Sequence, residues 1–438
     1  MTLSKAFVAR FFSDYGMLGV LVVLCLYFSW ATLQEQHPEG EAAAALVAEN
    51  ISSALAPKSN ILVVAKATPQ DFEFAEGVRS RLQAAGFNIV AVVTGDPAAV
   101  RQSFQALADS GVKVDAIAAT KDRLYTIDNI KSGFAALSAA NVVIAGSYQW
   151  PTFLLHENLI NVVNQIAVIA IIAIGMTMVI ITGGIDLSVG SVVALAAVVA
   201  ASLIVQLGGA QAGTWAMLGA CAVAILVCGL MGMMSGVMIT RFSIPPFIAT
   251  LGWMLVASGL AYIIARGESI YDIPNAFAWL GRGADIFSIP NAVVLMLLLY
   301  LAAHFLMSQT ALGRHIYAVG GNAEAARLAG VRVQWILLFV YTVSGLMAGL
   351  GGIILASQLK SGAPTYGLLY ELYVIAAVVV GGASLSGGEG KIFGTLIGAL
   401  LIGVIQNGMN LTGVESYAQK VVLGLVILGA VLLDKLRR

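Results

Sequence analysis

Long unbroken apolar stretches recur along most of the chain, and each approaches the ~20 residues a helix needs to cross the ~30 Å hydrocarbon layer of a bilayer. Ten can be counted, at residues 15–33, 159–181, 187–207, 213–239, 245–265, 290–308, 333–357, 367–381, 392–408 and 417–434. The eighth is the shortest. Between the first and second the pattern changes. Short β-rich apolar runs at 61–65, 88–93, 114–118 and 142–145 alternate with helical patterns at 71–85, which stops at Gly86, and at 97–110. The latter has Asp96 as N-cap, Pro97 as first helical residue and Gly111 as terminator. Strands separated by helices predict a small parallel α/β layer. The expected fold is therefore an α-helical polytopic membrane protein of about ten transmembrane helices, with an α/β insert between the first and second spans. Residues 1–33 form the first segment, 34–150 the insert and 151–438 the helical body.

Composition agrees with this division. Only 46 of 438 residues are charged, 23 Lys+Arg and 23 Asp+Glu, while 59% are apolar. A soluble domain carries about 25% charged residues, so this chain cannot cover a water-facing surface throughout. Residues 34–150 hold 21 of the 46 charges. A formal net charge of zero argues against nucleic acid as a partner, since phosphate binding requires a basic excess on one face. Cys25, Cys221 and Cys228 lie in apolar runs, so neither a disulfide framework nor a metal site is expected.

Positive residues in short loops set orientation. With the N-terminus inside, the inner set is Lys5, Arg10, Arg241, Arg314, Arg327, Arg332, Lys391, Lys435, Arg437 and Arg438, against Arg266, Arg282, Lys360 and Lys420 outside. This predicts cytoplasmic N- and C-termini and an extracytoplasmic insert. An alternative for the first span is a cleaved signal peptide, because Lys5 and Arg10 precede an apolar run and Ser29-Trp30-Ala31 loosely fits a small-x-small site.

Two glycine-broken segments interrupt the apolar pattern. The first is Thr182-Gly183-Gly184-Ile185-Asp186-Leu187-Ser188-Val189-Gly190, where glycines release the backbone from the helix and Asp186 is positioned to cap the next one. The second is Gly381-Gly382-Ala383-Ser384-Leu385-Ser386-Gly387-Gly388. Aligned without gaps from Gly183, five of eight residues agree. Paired breaks of this kind point to an internal repeat and a solute path, although any helix reversal also collects Gly and Ser. The candidate path residues are Gly183, Gly184, Asp186, Ser188, Glu371, Gly381, Gly382 and Ser384. Glu371 is placed near the outer mouth of the eighth span. There an ionisable group is tolerated against a cost of ~2.5–3.5 kcal/mol, the insertion figure for Asp, if it faces a path or partner, or else snorkels to the interface. The GxxxG pairs Gly232/Gly236, Gly345/Gly349 and Gly394/Gly398 are read as close helix packing. His304, near the inner end of its span, is read as a packing residue.

Leu385-Ser386-Gly387-Gly388-Glu389 is close to the signature of ABC ATPases, yet no G-x-x-x-x-G-K-[ST] phosphate loop occurs anywhere in the chain. ATP cannot be bound by that route. The inner loop between the sixth and seventh spans carries Gly313-Arg314-His315-Ile316-Tyr317-Ala318-Val319-Gly320-Gly321-Asn322, then Ala323-Glu324-Ala325-Ala326-Arg327-Leu328-Ala329-Gly330. Asn322 suits an N-cap, Glu324 the helix start, Arg327 its end and Gly330 its terminator. Such a short capped helix is either a docking peg or an ordinary linking helix.

These motifs, with Asn158-Leu159-Ile160-Asn161-Val162, Pro246-Phe247-Ile248-Ala249-Thr250-Leu251-Gly252 and Gly394-Thr395-Leu396-Ile397-Gly398-Ala399, occur in order over about 280 residues. They resemble the permease subunit of ribose/xylose/galactoside-type ABC importers. The resemblance implies a type II-like permease domain over 151–438 in a bacterial cytoplasmic membrane, a second permease subunit, identical or homologous, and an extracytoplasmic substrate-binding protein. It also implies separate ABC ATPase subunits, which carry ATP and magnesium. No catalytic residue, metal or cofactor is assigned to this chain. Arg314, Gly321, Asn322, Glu324, Arg327 and Gly330 would then form the ATPase-coupling loop. The sequence departs from the family pattern at Tyr373 and Val374, where Asp-Ala is usual, and at Ser258, where Arg is frequent. These departures bear on the choice of sugar more than on the transport mode.

Within the insert, Phe72-Glu73-Phe74-Ala75-Glu76-Gly77-Val78, Ala84-Ala85-Gly86-Phe87 and Asp96-Pro97 are followed by Leu107-Ala108-Asp109-Ser110-Gly111-Val112-Lys113-Val114-Asp115-Ala116-Ile117. This stretch resembles the first lobe of periplasmic sugar-binding proteins related to the LacI repressors. A lone lobe either docks a partner or decorates the permease, or it still touches substrate. The usual ligand-contacting aromatic is replaced by Thr68-Pro69-Gln70. The expected activity is ATP-driven import of a small polar solute, a monosaccharide such as ribose or a related sugar, across the lipid bilayer. Alternatives are a permease for nucleosides or branched-chain amino acids, an ion-coupled secondary transporter, and a membrane receptor.

Overall fold

The computed structural model describes residues 5–436, with side chains over 16–432 except 135 and 136. Of the inner basic residues used for orientation, Arg437 and Arg438 lie outside the described residues, as do the side chains of Lys5, Arg10 and Lys435. The chain forms two compact units, Leu33–Pro151 and the remainder.

After α1 (Lys5–Ala31), the smaller unit begins with β1 (Leu33–Gln36), α2 (Gly40–Ala54), β2 (Asn60–Ala65), α3 (Pro69–Ala84), β3 (Asn88–Thr94) and α4 (Pro97–Asp109). It continues with β4 (Ala116–Ala119), α5 (Leu124–Lys131), α6 (Ala135–Ser138), β5 (Asn141–Val143) and β6 (Tyr148–Pro151). Strands β3-β2-β4-β5 make one parallel sheet, and β1 pairs antiparallel with β6, so the two ends of the unit lie side by side. Successive residues of β2 point to opposite faces. Ile61, Val63 and Ala65 pack with Val47, Ile51 and Phe74, whereas Leu62 and Val64 pack with Phe104, Ile117 and Ile127. Both faces are therefore covered, as a parallel sheet requires. Helix α3 starts two residues before the expected position because the Thr68 hydroxyl accepts from Asp71 N–H at 3.2 Å, and Asp96 caps α4 through Ala99 N–H at 2.8 Å. Helices α2, α5 and α6 and the β1–β6 ribbon were not anticipated from the sequence. The Ala-rich run of α2 has no sharp apolar period, and a four-residue ribbon is specified by its partner rather than by itself.

The larger unit continues with α7 (His156–Ile181), α8 (Val189–Gln206), α9 (Thr214–Arg241), α10 (Pro246–Ala265), α11 (Trp279–Arg282) and α12 (Asn291–Gln309). It ends with α13 (Ala311–Gly321), α14 (Ala323–Leu328), α15 (Val333–Leu359), α16 (Tyr370–Val380), α17 (Ile392–Leu411) and α18 (Ser416–Leu436). Each of the ten apolar stretches coincides with a helix. Seven of these, among the described residues, are long and apolar enough to cross a bilayer. Helix α16 is not one of them. Its eleven residues extend only about 16 Å at 1.5 Å per residue, so the eighth expected span is a half-length helix.

Helix α7 is the central element: 89% of its most apolar window is buried within the unit, against 22% for α10. Polar seams fix its neighbours. Asn158 and Asn407 exchange reciprocal amide hydrogen bonds at 3.1 and 2.8 Å, Thr177 and Thr395 hydroxyls meet at 2.8 Å, and the buried Tyr300 hydroxyl donates to Ala170 O at 2.9 Å. The GxxxG stripes sit where helices touch. Gly232 lies against Gly345 and the Tyr341 carbonyl, Gly349 lies against Cys228, and Gly398 lies against Ala377. The His304 and Phe393 rings pack against each other at a tilt of 47°, with centroids 4.7 Å apart. Cys25, Cys221 and Cys228 are free thiols.

The α9–α15 crossing yields a matched pair of substitutions. In Gly345→Ala the added methyl overlaps the Cys228 carbonyl, which should cost about 1–3 kcal/mol. In Gly219→Ala the methyl enters open space, and helix propensity gains about 1 kcal/mol. Circular-dichroism melts in detergent should show the first variant melting below the wild type and the second level with it or higher.

Candidate functional site

Three segments far apart in sequence meet at one end of the helical unit. Helix α7 stops at Ile181, where the backbone leaves the helix through Thr182 and Gly183, the latter with φ +78°. Helix α16 stops at Val380, and Gly381 and Gly382 lead into the 383–391 loop. Gly388 N–H then donates to Ile181 O at 2.8 Å, and Gly387 packs on Gly183. The third participant is the C-terminal turn of α13. Gly320 lies so close to the Ile181 carbonyl and to Gly388 N that a Cβ there would overlap both, and the Tyr317 hydroxyl donates to Gly390 O at 2.7 Å. The two breaks and the loop helix, separate readings in the sequence, are thus one contact. Two backbone acceptors, Ile181 O at the end of α7 and Gly390 O in the 383–391 loop, find donors inside this junction, as backbone carbonyls without a helical partner require.

From the junction, residues 182–188 run to the start of α8. The buried Asp186 does not cap that helix as expected. Ser188 occupies the N-cap position without a side-chain cap bond, because its hydroxyl donates to the Asp186 carboxylate instead. Asp186 Oδ1 accepts from Ser188 N–H at 3.0 Å and from the Ser188 hydroxyl at 2.6 Å, and Oδ2 accepts from the Ser344 hydroxyl of α15 at 2.7 Å. Asp186 therefore clasps the break to α15. Thr250 of α10 donates to Ile185 O at 3.3 Å, and the buried Tyr341 hydroxyl closes over Gly184. In the second break, Ser384 is buried, and its hydroxyl accepts from Ser386 N–H at 3.2 Å.

Glu371 requires a correction. It is not at the mouth of a full-length span but is the second residue of the half-length α16, directly against Gly190, the second residue of α8. A Cβ on Gly190 would overlap both the Glu371 carboxylate and the Gly367 carbonyl. Since α16 ends at the junction, Glu371 stands about 15 Å from it, roughly half the depth of a bilayer. Two helix N-termini and one carboxylate share this level, and an N-terminal turn is where the helix dipole accommodates negative charge.

On the far side of Gly321, Asn322 caps α14 through Ala325 N–H at 2.9 Å, and Gly330, with φ +87°, ends it. Glu324 and Arg327 are exposed and bridge each other along α14, and Arg314 is exposed on α13. Sequence reading missed Ser344, Tyr341, Thr250 and Tyr317 as partners of the breaks. Ser344 adjoins the Gly345/Gly349 stripe, and Tyr317 lies within the loop motif, but which break each one touches is decided by packing alone. No group of His, Cys, Asp or Glu able to hold a metal occurs among the described residues.

Broken helices buried in an apolar bundle, with a capped surface helix abutting the breaks, define a multi-pass membrane transport protein. Residues 158–431 match the family described as branched-chain amino acid transport system / permease component, and the chain belongs to that family. It is 44% identical to the ribose import permease protein RbsC of Escherichia coli (strain K12) over 288 residues, 65% of this chain and 87% of that protein. It is 37% identical to the D-allose transport system permease protein AlsC of the same organism over 310 residues, 70% and 92% of the two chains. With the galactose/methyl galactoside import permease protein MglC of Salmonella typhimurium it shares 36% identity over 301 residues, 66% and 90% of the chains. No solved structure matches. The expectation of a permease subunit of the monosaccharide-importer class agrees with these relatives.

Neighbouring glycines test the junction. Gly320→Ala forces a methyl into the Ile181 carbonyl, whereas Gly321→Ala meets nothing within 4 Å. An overpacking cost of about 1–3 kcal/mol corresponds to roughly 5–150-fold in the packed population. Folded yield and transport should fall by that order in Gly320→Ala and be retained in Gly321→Ala.

Proposed function

We propose that this chain is the membrane-spanning subunit of an ATP-driven importer for a monosaccharide, ribose or a close relative. The observation that carries the reading is the 44% identity to a ribose import permease of which the match covers 87%. The chain supplies the path, and a separate ABC ATPase supplies the energy with ATP and magnesium bound to that partner. A soluble binding protein delivers solute on the opposite side of a bacterial cytoplasmic membrane. A second permease subunit completes the path. The end bearing α13 and α14 is cytoplasmic, as are both termini, and residues 34–150 are extracytoplasmic.

The mechanism is alternating access. Glu324, Arg327 and Arg314 form the exposed handle that the ATPase engages. Movement of α13 reaches the breaks without an intermediary, because Gly320 and Tyr317 touch the backbone of Ile181, Gly388 and Gly390. Asp186 passes that movement to α15 through Ser344. Glu371 and the N-termini of α8 and α16 lie on the path at mid-depth, where Glu371 accepts hydrogen bonds from solute hydroxyls. The family description favours a second reading, a branched-chain amino acid as solute.

Reconstituted into liposomes with its ATPase and binding protein, the chain should accumulate D-ribose only when ATP is hydrolysed. Leucine accumulation in its place selects the second reading, and uptake by the chain alone under an ion gradient overturns both. A second test concerns α14. Glu324→Arg combined with Arg327→Glu preserves the intrahelical pair, worth ~0.2–0.5 kcal/mol, while inverting the charges offered to a partner. ATPase co-purification and uptake should fall about tenfold, equivalent to ~1.4 kcal/mol, with the melting temperature unchanged. Undiminished association and uptake would remove the docking role.

A further inference from the structure

Between α11 and α12, residues 286–289 form a tight hairpin turn. Ile289 N–H donates to Ile286 O at 2.8 Å, and the two residues pair as an isolated bridge. The central residues, Phe287 and Ser288, have φ +49° and +60°. Positive φ at both central positions is the type I′ arrangement, which draws Asn, Asp and Gly. A bulky side chain there is an outlier, and such strain persists where the surroundings over-determine it and clusters at functional positions.

The bracing around this turn is specific. Asn291, buried at the start of α12, donates through Nδ2 to Trp279 O at 3.0 Å and to Asp285 Oδ2 at 3.1 Å, while its Oδ1 accepts from Asp285 N–H at 3.3 Å. Its own N–H donates to Gly283 O at 2.8 Å, and the Trp279 indole N–H donates to the Asp285 carboxylate. Two bonds at Gly281 tie the segment to the long helices. Gly281 N–H donates to Ser357 Oγ of α15 at 2.8 Å, and Asn164 Nδ2 of α7 donates to Gly281 O at 3.1 Å. Asn164 lies about 26 Å along α7 from Ile181, so the turn belongs to the end of the helical unit opposite the junction.

What the braced turn presents is apolar and faces outward. Phe287 is 93% exposed, Ile286 and Ile289 beside it are 49% and 38% exposed, and residues 286–289 carry no charge. Within the chain the Phe287 ring makes no packing that offsets its strained backbone, so its contact lies beyond the chain. Depth selects lipid as that contact. Helix α12 has 19 residues and extends about 28 Å, close to the ~30 Å hydrocarbon thickness. A turn immediately before its first residues falls at the boundary between head groups and acyl chains. Along α12 the exposed Leu298, Leu301 and Phe305 form a stripe at helical spacing, a surface that acyl chains cover. Trp279, with its ring exposed and its indole N–H bonded, has the amphipathic form of an interfacial aromatic.

We propose that the 286–289 turn inserts Phe287 into the head-group boundary of the bilayer and so anchors the segment carrying α11. Lipid contact is passed to α7 and α15 through the two bonds at Gly281. Anchoring depends on the chain crossing a bilayer and is independent of the solute it carries.

Photo-crosslinking tests the anchor in the full-length protein reconstituted into vesicles of phosphatidylethanolamine and phosphatidylglycerol. With p-benzoylphenylalanine in place of Phe287, irradiation should yield phospholipid adducts detectable by mass spectrometry, at a level comparable with the same probe at Leu301. The yield should exceed that from the probe at Tyr125, exposed on α5, by about tenfold or more, the low end of the partition that burial of a Phe side chain supplies. If the 287 variant does not fold, the probe at the neighbouring Ile286 decides on the same criteria. Lipid adducts no more frequent than from Tyr125 would place the turn in water and overturn the anchor. Adducts to a second copy of the chain, or to an added binding protein, in place of lipid would make the turn a protein contact and overturn it equally.

Discussion

Backbone polar groups freed where a helix breaks must find partners within the protein, and the helical unit is organised around meeting that demand. Two helices, α7 and α16, end in glycine-rich breaks, and the breaks come to rest on each other. Gly388 N–H bonds Ile181 O, and Tyr317 of α13 bonds Gly390 O. Close approach of three backbones is feasible because Gly183, Gly320 and Gly387 have no side chains to separate them. This contact places a surface helix directly on the discontinuous segments of the interior.

The same constraint explains Asp186. A carboxylate in an apolar bundle is costly unless hydrogen bonds surround it. Three donors do so, two from Ser188 and one from Ser344. Because the third comes from α15, and α15 crosses α9 through a glycine stripe, the break is joined to the long helices that form the body of the unit. Glu371 is differently placed, against the start of α8 at the head of a half-length helix. One carboxylate thus joins elements, and the other stands where two helix ends open on the same depth.

The ten helices, the α/β character of residues 33–151 and the capped α14 were legible in sequence because each rests on local signals: apolar length, strand–helix alternation, and Asn322 or Asp96 as caps. The shortness of α16 was visible only as a short apolar run, and the role of Asp186 was misjudged as a cap. The bond of Asp186 to the nearby Ser188 N–H is local, whereas the Ser344 hydroxyl that takes its other oxygen arrives from 158 residues away. In the smaller unit, β2 and α3 were legible, but the strand order β3-β2-β4-β5 was not, because no single stretch encodes it.

The sequence by itself determined that the chain crosses a bilayer, that no phosphate-loop motif occurs in it, and that its family is that of importer permeases. Those conclusions follow from composition, motif spacing and residue identity, all readable along a line. Only the tertiary structure decided that the two breaks and the loop helix are a single junction, that Glu371 faces Gly190, and that the Asp186 carboxylate meets Ser344. Each of these joins residues distant in sequence, and their meeting is fixed by side-chain volume and by the pairing of buried polar groups.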